Sequence, residues 1–273
     1  VAPPAASASP GHWRVDGDLE ETMPGVVEAG AWGLLAGSAL LVGAVPGYLL
    51  RVPRLVVASV MAFGAGVLLS ALSFELIAEA HEEAGLVPAA VGTLAGAGAY
   101  TLGNVLLARR GARHRKRSGR RRGPPSESEE SGSGTALALG ALLDGVPESV
   151  VIGVGLAQGG AVSLVTVAAV FISNIPEGLS SAAGMRSSGR GGRYVFGVWG
   201  SIAVASMLAS MLGFAVVGGL PATAVATVTA VAAGAILAMV SDTMIPEAFE
   251  DTHLAMGLIT VCGFLVSFAL SHI

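Results

Sequence analysis

The chain has 273 residues, of which 53% are hydrophobic and only 12% charged, with a mean hydropathy of +0.72 and a formal net charge of −4. A soluble domain carries about 25% charged residues, so half that density, gathered into long uncharged blocks, predicts an all-α integral membrane protein. The single cysteine, Cys262, excludes a disulfide framework within the chain and any multi-cysteine metal site.

Residues 1–29 are rich in Pro, Ala and Ser and then acidic (Asp16, Asp18, Glu20, Glu21, Glu28). They are expected to form a flexible extracytoplasmic tail with some helix near 18–28. No positively charged segment precedes an apolar core there, so a signal peptide is not expected. Uncharged blocks at 30–50, 55–74, 84–108 and 194–241 then set the frame. Eight spans are predicted, at about 30–50, 55–79, 86–108, 135–157, 161–185, 194–217, 221–246 and 253–272. Residues 30–108 thus hold helices one to three, 135–185 helices four and five, and 186–273 the last three.

Arginine and lysine orient the chain. Of 15 Lys+Arg residues, 14 fall in the segments 51–54, 109–134 and 186–193, and only Arg14 falls on the other side. The positive-inside rule then places both termini outside a cell (plasma) membrane and the 109–134 loop in the cytoplasm. That loop passes from a basic block, Arg109 to Arg122, into PPSESEESGSG, and is expected to be a disordered linker. Anionic lipid is the expected partner of its basic half, and nucleic acid is not.

Two short motifs within the spans carry the chemistry. Asp144-Gly-Val-Pro-Glu148-Ser and Ser173-Asn174-Ile-Pro176-Glu177-Gly are one pattern written twice, 29 residues apart. On a helix Asp144 and Glu148 share a face, as do Ser173 and Glu177. Each proline lacks an N–H and crowds the carbonyl four residues back, which frees the oxygens of Leu143 and Ile172. Carboxylates beside bare backbone oxygens are the parts of a cation site. An acidic residue at a span centre costs roughly 2.5–3.5 kcal/mol to insert, which a bound divalent cation would offset. A second repeat, with an offset of 168 residues, aligns Gly66–Ala80 with Gly234–Ala248. It pairs span two with span seven, and makes Glu75, Glu79, Asp242 and Glu247 candidates for an ion pathway. Together the two repeats predict a 3 + 2 + 3 arrangement of inverted repeats, as in secondary transporters.

These residues resemble the ZIP (Zrt/Irt-like) family of zinc and iron permeases over all eight spans. The family motif H-N-x-P-E-G in span four is matched by Asp144 to Ser149, and H/Q-N/D-x-P-E-G in span five by Ser173 to Gly178. The family's H-x-x-P-E and H-E-x-x-P-E resemble Glu75 to Glu79 and Asp242 to Glu247. The resemblance implies a metal site of Asp144, Glu148, Ser173, Asn174 and Glu177, with Glu148 and Glu177 shared between two ions. The chain departs from the family at every histidine, which Asp144, Ser173, Glu75 and Asp242 replace, while Gly145 and Thr243 remove two further ligands. The remaining donors are all oxygen, which suits Mn²⁺, Mg²⁺ or Ca²⁺ better than zinc.

The expected function is a divalent metal-ion permease carrying Zn²⁺, Fe²⁺ or Mn²⁺ as substrate into the cytoplasm, with no cofactor and no enzymatic activity. No nucleotide-binding G-x-x-x-x-G-K-[ST] loop is present, so the inside-negative potential is the expected driving force. A cation antiporter and a degenerate ZIP-like protein acting as metal sensor or partner-binding protein are the alternatives. Homodimerisation is left open by the sequence. An intramembrane hydrolase is disfavoured, because all five histidines fall in tails, loops or span ends.

Overall fold

The computed structural model describes residues 15–107, 109, 127–158 and 163–272, and only the backbone of 15–24, 127–139 and Leu254. The first half of the acidic tail, the basic block of the loop after Arg109 and its expected lipid contact therefore lie outside the described residues.

Among the described residues eight helices make up the fold: α1 (Val15–Leu49), α2 (Arg54–Ala84), α3 (Leu86–Leu107), α4 (Glu127–Ala157), α5 (Leu164–Ser187), α6 (Gly192–Val217), α7 (Ala222–Thr252) and α8 (Met256–Leu270). Seven of them are long and apolar enough to cross a membrane, and large apolar side chains such as Leu94, Leu212 and Leu258 lie exposed on their outer faces. The chain is a multi-span α-helical membrane protein. The eighth expected span is a shorter helix of 15 residues, about 22 Å long at 1.5 Å per residue, against a hydrocarbon core of about 30 Å. It loses its first three expected residues to a 3-10 turn, His253–Ala255, and its last two beyond Leu270, while α7 continues past Pro246 to Thr252 through the expected connection. At the start of the chain, helix already begins at Val15, within the expected tail, and α4 begins at Glu127, within the expected linker.

Prolines introduce two of the long helices. Pro53 precedes α2 and Pro221 precedes α7, each with its fixed φ in the position before the first turn. Both helices then widen into a π-helical turn, Leu72–Ile77 in α2 and Val240–Met244 in α7. Such turns are uncommon and concentrate at functional sites. Past them, α2 ends at Gly85 with φ +84, while α7 ends at His253 with φ +45, the one non-glycine with positive φ among the described residues. By contrast α4 and α5 run unbroken through Pro147 and Pro176.

Small residues decide which helices meet. A Cβ added to Gly66 would overlap the Thr260 carbonyl and one on Gly263 that of Phe63, so α2 and α8 lie backbone to backbone. The same reciprocal fit joins α3 to α7, through Gly96 against Val231 and Gly234 against Thr93. Gly43 and Gly178 bring α1 onto α5, and Gly153 brings α4 onto α6. Between helices in lipid, where burial of apolar area adds little, this close approach is the main source of attraction. The main core cluster lies along α2 and α7, where Leu72, Ile236, Met239 and Val240 are buried. A second holds Trp199, fully buried among Leu40, Val195 and Ile202. Although consecutive in the chain, α4 and α5 barely touch; α4 packs on α6 and α7, and α5 on α1 and α2.

Candidate functional site

Asp144 and Glu148 are buried on one face of α4, as their spacing predicts, with exposures of 1% and 2%. Tyr100 of α3, itself buried, donates its phenolic hydrogen to Asp144 Oδ1 over 2.8 Å. On α5, Ser173 and Asn174 are buried too. Ser173 Oγ donates to the Val170 carbonyl at 2.9 Å and Asn174 Nδ2 to the Ala36 carbonyl of α1 at 3.1 Å. The amide nitrogen of Asn174 thus ties α5 to α1. Glu177 is half-buried and faces a different setting from the α4 pair. Among the described residues, no three His, Cys, Asp or Glu side chains stand together in a group that could hold a metal ion.

Two cavities lie at opposite ends of these helices. The first sits where α2 and α4 end and α5 begins. Its lining includes Glu75, Glu79, Gln158, Ser163, Thr166 and Thr229, with Leu76, Val151 and Ile152 forming the apolar floor. Glu75 Oε2 accepts from Ser163 Oγ at 2.7 Å and from Thr166 Oγ1 at 2.6 Å, while the Gln158 side chain hydrogen-bonds Glu79. Ser163 also caps α5, its Oγ accepting from the Thr166 N–H at 3.1 Å. One residue therefore starts α5 and anchors it to the π-helical turn of α2.

The second cavity lies near the other end of α5, lined by Met61, Glu177, Ser180, Ser181, Thr243, Met244 and Glu247. Ser180 Oγ donates to Glu247 Oε1 at 2.6 Å. Asp242 is exposed and lines neither cavity, and its neighbour Thr243 takes the lining position within the π-helical turn. Nearby, Arg186 Nη1 donates to the carbonyls of Tyr48 and Leu50, at 2.7 and 3.2 Å, and so places a cation at the C-terminus of α1.

Size limits what either cavity can accept. The first has room of about 50 Å³ and the second about 10 Å³, enough for a few waters and for one. Neither admits an organic substrate of ordinary size. By helical rise, Val167 of the first cavity and Ser180 of the second are about 20 Å apart along α5, and Ser173 and Asn174 lie between them. On α4, Glu148 lies one turn below Ile152 of the first cavity, and Asp144 a further turn below.

Sequence reasoning placed the acids but missed their companions. Tyr100 interrupts an uncharged block, and a phenol in such a setting needs a hydrogen-bond partner, which was its available signal. Ser163, Thr166, Ser180 and Thr229 carried no such signal, because hydroxyls are common in spans and usually bond their own backbone. No protein-family model matches the chain, and a search of curated proteins found no match either.

Proposed function

We propose that this chain is a divalent-cation permease of ZIP-like design, with outer helix triplets α1–α3 and α6–α8 as inverted repeats around α4 and α5. One observation carries the reading: corresponding positions line both cavities. Glu75, Leu76, Glu79 and Thr229 line the first, and Thr243, Met244, Glu247 and Met61 line the second, each pair separated by 168 residues. Val151 and Ile152 of the first correspond to Ser180 and Ser181 of the second at the other offset, 29 residues. The longer offset also relates Pro53 to Pro221, Gly66 to Gly234, Gly85 to His253 and one π-helical turn to the other. Two vestibules built alike, on either side of buried carboxylates, are what alternating access about a midplane site requires. Under the positive-inside orientation the first vestibule faces outward and the second faces the cytoplasm.

In this reading Asp144 and Glu148 bind the ion between the vestibules, Glu177 reaches it from the wall of the second, and Ser173 and Asn174 supply neutral oxygens. The donors are hard, so Mn²⁺ or Fe²⁺ binding gains on Zn²⁺ relative to a histidine site. No enzymatic step belongs to the proposal. Uptake of Zn²⁺, Fe²⁺ and Mn²⁺ into proteoliposomes held at an inside-negative potential tests it. Wild-type chain is expected to accumulate metal, with Glu148→Ala and Glu177→Ala inserted but inactive and Glu79→Ala reduced. Normal uptake by both central variants would make those carboxylates structural and end the permease reading.

A second reading, a metal sensor or partner-binding relative that does not transport, is favoured by the lack of a three-acid group among the described residues. A correctly inserted wild type that accumulates none of the three metals would select it.

A further inference from the structure

We propose that the first cavity is itself a cation site, a capture position for a partly hydrated hard divalent ion, distinct from the carboxylates deeper in α4 and α5. It rests on the permease reading for its cargo, but its chemistry stands on the cavity alone. Two carboxylates, Glu75 and Glu79, line the cavity one helical turn apart, and none of its lining residues is basic. Glu82 and Glu83 add negative charge beside Glu79. An apolar floor under a like-charged rim focuses that field into the opening. Polar groups already orient both carboxylates, the Ser163 and Thr166 hydroxyls holding Glu75 and the Gln158 side chain meeting Glu79.

Thr229 supplies an independent sign of a ligand. It is 4% exposed and lines the cavity from α7, yet its Oγ1 has no hydrogen-bond partner among the described residues. A buried hydroxyl left without a partner is destabilising, and a hydrated ion filling the space would give it one. Ser210 and Ser267 are also buried without partners, but neither lines this cavity. The equivalent position in the second cavity is the apolar Met61. The two vestibules therefore differ where one faces an oxygen and the other a thioether, and the first also has about five times the room. The donors are carboxylate, hydroxyl and amide oxygens with space for retained water, the ligand set of Mn²⁺, Mg²⁺ or Ca²⁺ rather than of a thiophilic metal.

The test measures Mn²⁺ binding by the purified full chain in detergent, by calorimetry and by the loss of the free-ion paramagnetic resonance signal. The background is Asp144→Asn with Glu148→Gln and Glu177→Gln, so that the deeper carboxylates contribute nothing. About one equivalent of Mn²⁺ is expected to bind this background. Adding Glu79→Gln is expected to weaken binding at least about tenfold, and Thr229→Val several-fold, with Thr229→Ser restoring it. Glu82→Gln removes one rim charge without lining the cavity, and is expected to weaken binding by no more than about twofold, since an exposed charge is screened by salt, well short of the loss in Glu79→Gln. A background that binds no Mn²⁺, or binding indifferent to Glu79 and Thr229, overturns the site. A folded variant is shown by an elution profile and helical circular dichroism like those of the wild type, and Thr229→Ser guards against misfolding of Thr229→Val. Transport by the wild type is scored separately, so a permease without a capture site and a capture site without transport give different results.

Discussion

Tyr100 and Asp144 meet at 2.8 Å with both side chains buried between α3 and α4. A hydrogen bond between buried side chains contributes about 0.5–1.5 kcal/mol, and here it also sets which way the carboxyl group faces. If Asp144 is an ion ligand, Tyr100 orients it from behind, and partners of that kind typically affect metal affinity about 10–100-fold. Tyr100→Phe is therefore expected to raise the Mn²⁺ concentration for half-maximal uptake at least about tenfold while changing the maximal rate much less. Equal half-saturation in the two proteins would confine the phenol to packing and remove Asp144 from the binding step. Gly145, beside it, has room for a side chain: an added Cβ would come no closer than 3.8 Å, to Ser206 Oγ. The family-like asparagine is thus not barred at the Cβ level, and its absence is a difference in donors.

At the scale of the helix, Gly96 and Gly98 of α3 separate packing from propensity. They lie two residues apart on one helix. A Cβ at position 96 would overlap the Val231 carbonyl of α7, whereas one at 98 would meet nothing within 4 Å. Gly96→Ala forces backbones apart and is expected to cost about 1–3 kcal/mol. Gly98→Ala gains up to about 1 kcal/mol of helix propensity. Thermal unfolding in detergent should accordingly lower Tm for the first and leave it level or raised for the second. Similar behaviour of the two variants would mean that α3 and α7 are not held by glycine contact. The π-helical turns follow the same logic of position over composition: each inserts one residue's worth of rotation, and with it Glu75 and Thr243 come to line the two cavities.

Taken whole, the molecule has buried central helices and exposed flanking ones. The most apolar stretches of α2 and α7 are 61% buried, and that of α3 only 17%. The first cavity lies among α2, α4, α5 and α7, and the second among α2, α5 and α7. On the permease reading, the ion path runs through the best-packed part of the bundle, with α3 and α8 toward lipid. Orientation is the prediction that belongs at this scale, because it rests on the distribution of 14 of 15 basic residues. Cys262 is exposed and must first be replaced by Ala. Single cysteines are then placed at Ser128 and, separately, at Gln158 on intact cells. An impermeant thiol reagent is expected to label position 158 and spare 128, and the opposite pattern would reverse the direction assigned to each vestibule.

Hydropathy along the chain determined that helices span a membrane and where most of them run, because transfer from water to hydrocarbon is summed residue by residue and needs no partner. The spacing of Asp144 and Glu148 likewise placed both on one face, where the fold buries them. The repeat offsets were legible too, since they are relations within the sequence. Pairing was not. Helices in lipid attract one another through shape, so Gly96 meets Val231 and Gly66 meets Thr260 only once distant segments are laid side by side. That separation of α4 from α5, adjacent in the chain, is likewise a product of packing on other helices. So are the bond from Tyr100 to Asp144, the hydroxyls that hold Glu75 and the cavity wall containing Thr229. Each depends on a polar atom finding a partner, or lacking one, across a helix contact, and local sequence carries no record of that distance.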